Sequence, residues 1–256
     1  MKVAAFDFDG TLHHPPHGFD PADTAAIDAW RAAGHLAISA TGRSRTALAQ
    51  GMTGSGLAFD YQVLSNGASA TDGANHELIF GHEISSDILR AVLAEFGDRD
   101  GLAIFGTTLG HTDGVFANNT ARTHTFTAHF APMRIDDIPH HQFAVIPIWV
   151  PDDAGLRAEV VSWATTLGSV EVAQNQDYID LIAPGRSKGS GIQELFGVLG
   201  IDRSDVELYT FGDSWNDLTM HALADHSHSF PHSPADMQAA TNRVIGSVSE
   251  VLGGYM

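Results

Sequence analysis

Two aspartates stand two positions apart where an apolar run stops: Val3-Ala4-Ala5-Phe6 leads into Asp7-Phe8-Asp9-Gly10-Thr11. Side chains alternate along a strand, so Asp7 and Asp9 start on the same side of a sheet edge. Gly10 lets the backbone turn sharply without a Cβ penalty, and Thr11 adds a hydroxyl at the start of the loop. Carboxylates crowded in this way repel unless a cation neutralises them or one stays protonated. Either outcome suits a metal-held nucleophile beside a general acid; the same residues also read as a solvated acidic turn. A second acidic group weighs toward a site. Gly212-Asp213-Ser214-Trp215-Asn216-Asp217 follows the apolar run Val206 to Phe211, which puts Asp213 and Asp217 at a strand-to-helix junction where backbone N–H groups can meet an anion. Thr41 and Asn66 close two further apolar stretches, and Lys188 opens a helix. Three or four aspartates at one sheet edge, with no histidine among them, form a hard oxygen site suited to magnesium rather than zinc.

The elements that must position these residues follow from periodicity and punctuation. Lys2 to Phe8 reads as a buried strand. Asp20-Pro21 reads as an N-cap followed by proline at the first helical position, and Gly34 ends the helix through Ile27 and Trp30. Leu36 to Ala40 is a second strand, with a helix following from Ser44. Tyr61 to Leu64 is a third, running into the turn signal Ser65-Asn66-Gly67-Ala68. From His82 the pattern changes to a helix (Ser85 to Phe96), strands at Leu102 to Phe105 and Phe143 to Val150, a helix (Asp152 to Leu167) and short strands at Ser169 to Ala173 and Tyr178 to Ile182. The stretch from Gly106 to His141 carries no clear period. After Pro184-Gly185 the alternation resumes with a helix (Lys188 to Leu199), a strand (Val206 to Phe211) and a helix (Trp215 to Leu223). Strands alternating with helices predict a doubly wound, Rossmann-like parallel α/β core. The predicted organisation is a core of residues 1–81 and 185–256 interrupted by an α+β module of residues 82–184.

Composition narrows the function classes. The chain has 256 residues, 43% apolar and 17% charged, a globular balance. No apolar run approaches the ~18 residues that a membrane span needs. The amino terminus enters an apolar strand without a basic segment or cleavage site, so no signal peptide is expected. The sequence contains no cysteine, which excludes disulfides and thiolate chemistry and fits a cytoplasmic location. A net charge of −18 argues against nucleic acid or an anionic membrane as partner. The same charge means that an anionic substrate requires a strong local positive centre. Lys2 and Lys188 are the only lysines, and a cation near a helix amino terminus is mildly unfavourable, so Lys188 has a purpose to explain.

The sequence resembles the haloacid dehalogenase superfamily of phosphotransferases, whose four signatures stand here in order. Asp7-Phe8-Asp9-Gly10-Thr11 matches the first and Thr41, in Ile38-Ser39-Ala40-Thr41-Gly42-Arg43, the second. Lys188, in Pro184-Gly185-Arg186-Ser187-Lys188-Gly189, matches the third and Asp213-Ser214-Trp215-Asn216-Asp217 the fourth. The wording is similar to the Cof-type branch, which carries an α/β cap between the second and third signatures, where residues 82–184 lie. The resemblance implies a magnesium-dependent phosphatase acting on a small phosphorylated metabolite, a sugar phosphate or a nucleotide- or cofactor-precursor phosphate. Asp7 would be the nucleophile that forms an aspartyl-phosphate, and Asp9 the acid and then the base. Magnesium would be held by the Asp7 side chain, the Asp9 backbone carbonyl and Asp213, with Asp217 in support. Thr41, Gly42, Lys188 and Asn216 would bind phosphate, with Asn66 and Arg43 on the substrate side. The cap would select the substrate, its rings Phe105, Phe116, Trp149 and Tyr178 fitting a closed pocket. An aspartate at position 9 favours hydrolysis, with a phosphomutase as the nearest alternative. A regulatory protein that accepts phosphate on Asp7 without turnover is the alternative of another class.

Other residues have plainer readings. Thr41 could cap the following helix, Arg43 could pair with a core carboxylate and Asn66 could serve only its turn. Of the 15 histidines none has a zinc-helix spacing, which predicts solvated positions. His13, His14 and His17 follow the first motif and could face the substrate, His226 and His228 could share a strand face, and His140-His141 read as loop. One departure from the Cof-type pattern is Ser229-Phe230-Pro231-His232-Ser233-Pro234, where relatives carry a small-residue loop with an Asn-Ala pair. His232 is a candidate newcomer to the site.

Overall fold

Val3, Ala4, Ala5 and Phe6 have no solvent exposure at all, as expected of a strand covered on both faces. The computed structural model of the protein describes residues 1–15, 17–74, 76–122, 127–175 and 177–256. Two compact units emerge: Met1–Gly42, Met52–Phe80 and Ser187–Met256 form the first, Arg43–Gly51 and Gly81–Arg186 the second. The predicted division, 1–81 with 185–256 against 82–184, differs mainly at Arg43–Gly51.

In chain order the first unit opens with β1 (Lys2–Phe6), the short hairpin of β2 (His13–His14) and β3 (Gly18–Phe19), α1 (Pro21–Ala32) and β4 (Leu36–Ala40). The helix α2 (Arg45–Gly51) belongs to the second unit, and β5 (Tyr61–Leu64), β6 (Ser69–Asp72) and β7 (Leu78–Gly81) return to the first. The second unit continues through α3 (Ser86–Phe96), β8 (Ala103–Thr108), β9 (Gly114–Asn118), β10 (Ala131–Pro132), β11 (Phe143–Trp149), α4 (Ala154–Thr166), β12 (Glu171–Asn175) and β13 (Tyr178–Ile182). The first resumes with α5 (Lys188–Leu199), β14 (Glu207–Phe211), α6 (Leu218–His221), β15 (His226–Ser229), α7 (Ala235–Ala239), β16 (Arg243–Val244) and α8 (Ser249–Leu252).

The sheet of the first unit has the order β16-β15-β14-β1-β4-β5-β6-β7. Its strands from β16 to β5 are parallel, and β6 pairs antiparallel to β5. The chain leaves β1 toward β4 on one side and returns to β14 on the other, so β1 and β14 flank the point where the winding reverses. Open α/β sheets bind ligands in the crevice at such a point, outside the carboxyl ends of the strands. Local sequence explains the frame. Asp20 caps α1 by accepting from the Ala22 N–H at 2.8 Å, Pro21 opens the helix, and Ile27 and Trp30 bury its inner face.

The second unit is a mainly antiparallel sheet, β10-β9-β8-β11-β13-β12. Alternation sends Ile104, Ile146, Ile148, Ile179 and Leu181 to a face covered by Leu89 and Val92 of α3 and Val160 of α4. Ala103, Phe105 and Trp149 pack in a separate cluster with Phe130 and with Ala47 of α2. This packing assigns Arg43–Gly51 to the second unit. Polar contacts reinforce it, because the buried Asp113 carboxylate accepts from the Ser44 hydroxyl at 2.5 Å, from the Thr46 hydroxyl, and from the Thr108 N–H at 2.8 Å. Phe105 meets Phe130 edge-on, Phe116 meets Phe143, and Trp149 stacks on Tyr178. The rings expected to fit a substrate pocket therefore pack within this unit.

The helix predicted over Trp215 to Leu223 is instead a tight 3-10 turn, Trp215–Asp217, followed by the single-turn α6. No helix among the described residues is long and apolar enough to cross a membrane.

Candidate active site

Four parallel strands end in polar residues at one edge of the sheet: β1 in Asp7, β4 in Thr41, β5 in Ser65-Asn66, and β14 in Gly212-Asp213. The Asp7 N–H donates to the Phe211 carbonyl at 2.8 Å, which locks the two acidic loops side by side. Gly10 is required there. Its φ is +85°, and a Cβ would lie 2.5 Å from an Asp213 carboxylate oxygen, so any side chain would displace that carboxylate. The Thr11 hydroxyl donates to Asp213 at 3.4 Å.

Lys188 reaches this edge from the first turn of α5. The Ser187 hydroxyl caps the helix by accepting from the Ser190 N–H at 3.1 Å, and the Ser190 hydroxyl accepts from the Ser187 N–H at 2.9 Å. Small residues let the helix come close. A Cβ on Gly189 would sit 2.4 Å from the Thr219 carbonyl oxygen, and one on Gly191 would sit 2.7 Å from the Gly67 Cα. The Lys188 ammonium, with 1% of its side chain exposed, lies 2.5 Å from Asp7 and 2.6 Å from Asp217. The second Asp217 oxygen accepts from the Ser214 N–H at 2.9 Å. A lysine at a helix start is thus compensated by two carboxylates at contact distance, which outweighs the mild helix-dipole cost.

Asp7, Asp213 and Asp217 each offer an oxygen within 4.8 Å of the others. Burial pushes Asp7 well above the usual carboxylate range, with Asp217 and Asp213 adding to the rise and Lys188 opposing it. Burial and Asp217 raise Asp213 to about 6. Burial alone would lower Lys188, but Asp217 and Asp7 reverse that and hold its ammonium charged. Three carboxylates against one ammonium leave an excess of negative charge in a poorly solvated place. The donors are all oxygen, so the group fits a hard divalent cation.

The remaining predicted residues divide into those that join this edge and those that do not. Thr41 is buried, its N–H donates to the Val63 carbonyl at 2.9 Å, and its carbonyl accepts from the Asn66 N–H at 3.0 Å. Asn66 adopts a left-handed φ of 51° and its side-chain carbonyl accepts from the Asn216 amide at 3.2 Å. Gly42 faces the Asn66 side chain, since a Cβ there would lie 3.3 Å from the Asn66 amide nitrogen and oxygen. The Asp9 carboxyl is outside the three-aspartate group; it is 41% exposed and lies 3.4 Å from Nδ1 of His13. Arg43 is in the second unit and donates to the Ala47 carbonyl at 3.0 Å.

The histidines correct one expectation. His221 and His228 are buried rather than solvated. His232 does reach the acidic edge, its Nε2 lying 2.9 Å from the Gly10 carbonyl and 3.7 Å from an Asp213 oxygen. His14 meets the His232 ring edge-on at 6.0 Å. The short loop from Gly10 to His13 is what brings His13 against Asp9, a contact that residue spacing alone did not reveal.

Against known proteins, the profile of the haloacid dehalogenase-like hydrolases matches residues 4–253. The chain belongs to this family. An HMP-PP phosphatase of Cronobacter sakazakii is 28% identical over 229 residues, covering 87% of this chain and 81% of that protein. A solved subclass IIB sugar phosphatase of the same superfamily superposes with a TM-score of 0.80 at 21% identity, over 99% of this chain and 97% of the other. A haloacid dehalogenase-like hydrolase from B. subtilis gives 0.81 at 17% identity, over 100% and 98%. At these identities the two structures establish that the hydrolase fold is shared.

Proposed function

We propose that this hydrolase is a magnesium-dependent phosphatase that removes phosphate from a small phosphorylated metabolite through an aspartyl-phosphate on Asp7. The observation that carries the reading is the buried Lys188 ammonium, 2.5 Å from Asp7 and 2.6 Å from Asp217, inside an acidic cluster on a chain of net charge −18. A cation placed there at the expense of desolvation has a clear use in holding a phosphoryl group beside a carboxylate nucleophile.

In this reading Asp7 attacks phosphorus in line and its carboxylate becomes an acyl phosphate as the bond to the leaving oxygen breaks. Asp9, 41% exposed and outside the three-aspartate cluster, gives the leaving oxygen its proton. The ionised Asp9 then takes a proton from the water that opens the acyl phosphate, which restores both residues. Asp7, Asp213 and the Asp9 backbone carbonyl would hold Mg2+, supported by Asp217; the ion supplies charge neutralisation for phosphoryl oxygens. Lys188, Thr41, Gly42 and Asn216 bind the transferring group, and Asn66 orients Asn216. We assign substrate selection to the inserted residues 82–184. The named activities of the relatives, on HMP-PP and on sugar phosphate, support sugar phosphates and phosphorylated cofactor precursors as the substrate class.

The test is phosphate release from a panel of phosphorylated sugars and pyrimidine and cofactor precursors, with Mg2+. Multiple turnovers on at least one, abolished in Asp7→Asn, are expected. Release from none overturns the reading; dependence on an added bisphosphate would instead indicate a phosphomutase.

A further inference from the structure

His13 touches the proposed acid but has no part in the chemistry so far. Its ring is held firmly. It stacks on Phe8 with centroids 5.5 Å apart and 19° between planes, and lies 5.0 Å from Phe19. Its backbone is fixed to the same loop, His13 N–H donating to the Phe8 carbonyl at 2.8 Å and Gly10 N–H donating to the His13 carbonyl at 2.9 Å. The ring therefore presents Nδ1 from a rigid support, 3.4 Å from Oδ1 of Asp9. An apolar side chain such as leucine could also pack against the two phenyl rings, but it would offer Asp9 no hydrogen-bond donor.

We propose that His13 is a positioning residue for Asp9. This rests on the phosphatase reading above. Nδ1–H donates to Oδ1 of Asp9, which orients the carboxyl so that its acidic proton, on the other oxygen, is aimed at the leaving oxygen. During transfer the bond from phosphorus to the leaving oxygen breaks as the bond to the Asp7 carboxylate forms. The leaving oxygen keeps the electron pair and takes the Asp9 proton; His13 keeps its own proton throughout. A donor distance of 3.4 Å is long, and catalytic hydrogen bonds commonly tighten only in the reacting complex. A carboxyl that is 41% exposed gains from such a support, because proton transfer demands alignment as well as proximity.

Two aryl esters separate positioning from mere packing. p-Nitrophenolate leaves without needing a proton, whereas phenolate leaves far more readily as phenol. The ratio kcat/KM includes only the steps up to departure of the leaving group, so later hydrolysis of the aspartyl-phosphate does not enter. With saturating Mg2+, His13→Leu should lower kcat/KM for phenyl phosphate by roughly 10-fold or more, a share of the 10²–10⁴-fold typical of general acids. For p-nitrophenyl phosphate the loss should stay below about 3-fold, since general acid catalysis contributes little to a good leaving group. His13→Asn, whose amide nitrogen can take the place of Nδ1, should recover most of the phenyl phosphate rate. In an Asp9→Asn background, His13→Leu should cost nothing further. Equal losses on both esters, no rescue by asparagine, or an undiminished loss in the Asp9→Asn background overturns the proposal. Absence of phosphate release by the wild type, or release persisting in Asp7→Asn, would sink the phosphatase reading itself, independently of any His13 variant.

Discussion

Lys188 concentrates the residue-scale energetics. It is buried with Asp7 and Asp217 at contact distance, so removing it strands two carboxylates in a place where water cannot replace the ammonium. Breaking one side of a buried ion pair typically costs about 3–5 kcal/mol. Lys188→Met should lower stability by that order in urea melts at pH 7. The deficit should shrink as pH falls, because burial pushes Asp7 above the usual carboxylate range and protonation of the stranded carboxylates removes their repulsion. His228 gives the opposite pH signature. Its Nδ1 lies 3.1 Å from the Thr210 carbonyl and its Nε2 2.9 Å from the Tyr255 hydroxyl, an arrangement that suits the neutral ring with the proton on Nδ1. Burial lowers its pKa to about 4. The unfolded chain takes up a proton near pH 6.5 and the folded chain resists until near 4, so this contribution is intact above 6.5 and lost as pH falls. The loss amounts to about 3 kcal/mol by pH 4. Stability curves of His228→Phe should be flatter than wild type between pH 6.5 and 4; parallel curves would refute the assignment.

At the scale of elements, α5 is the device that delivers Lys188, and its glycines divide by what surrounds them. Gly191 packs so closely on the turn at Gly67 that a Cβ would lie 2.7 Å from the Gly67 Cα. Gly197, further along the same helix, has nothing within 4 Å of where a Cβ would be. Gly191→Ala should destabilise by about 1–3 kcal/mol through overpacking and reduce phosphate release by moving Lys188. Gly197→Ala should stabilise by about 0.5–1 kcal/mol, the ordinary gain from replacing glycine inside a helix. Denaturant melts of the pair would show the sign change, and the same sign in both would refute the close-approach argument. The strands that carry the site were legible because each is a short apolar run stopped by Asp, Thr-Gly or Asn-Gly. α6 was misjudged because Asn216-Asp217 favours a turn, and the Asp217 carboxylate accepting the Ser214 N–H tightens it. The grouping of α2 with the second unit was invisible, since it depends on Asp113 and Phe105, which lie far along the chain.

For the whole molecule, charge sets two expectations. A chain of net charge −18 repels an anionic substrate at long range, and salt screens that repulsion over about 10 Å at 0.1 M. At fixed Mg2+, kcat/KM should therefore rise modestly as NaCl is increased from low ionic strength; a fall would mean that a local positive field governs encounter. Mg2+ itself should stabilise the fold by relieving the Asp7, Asp213 and Asp217 cluster, by about 2.7 kcal/mol at 100 times Kd. The rise in Tm should be largely absent in Asp213→Asn. The sequence by itself determined the winding of the parallel sheet, the four polar strand ends and the identity of the charged groups, because period, glycine turns and helix caps act over a few residues. Tertiary structure alone decided which charges meet. Lys188 and Asp7 are joined by the close approach of α5, His232 reaches Gly10 across more than two hundred residues, and His13 turns onto Asp9 because a loop folds back against Phe8. Burial then fixes their energies, for the same carboxylates that would be ordinary in water become a strained cluster once the strands close around them.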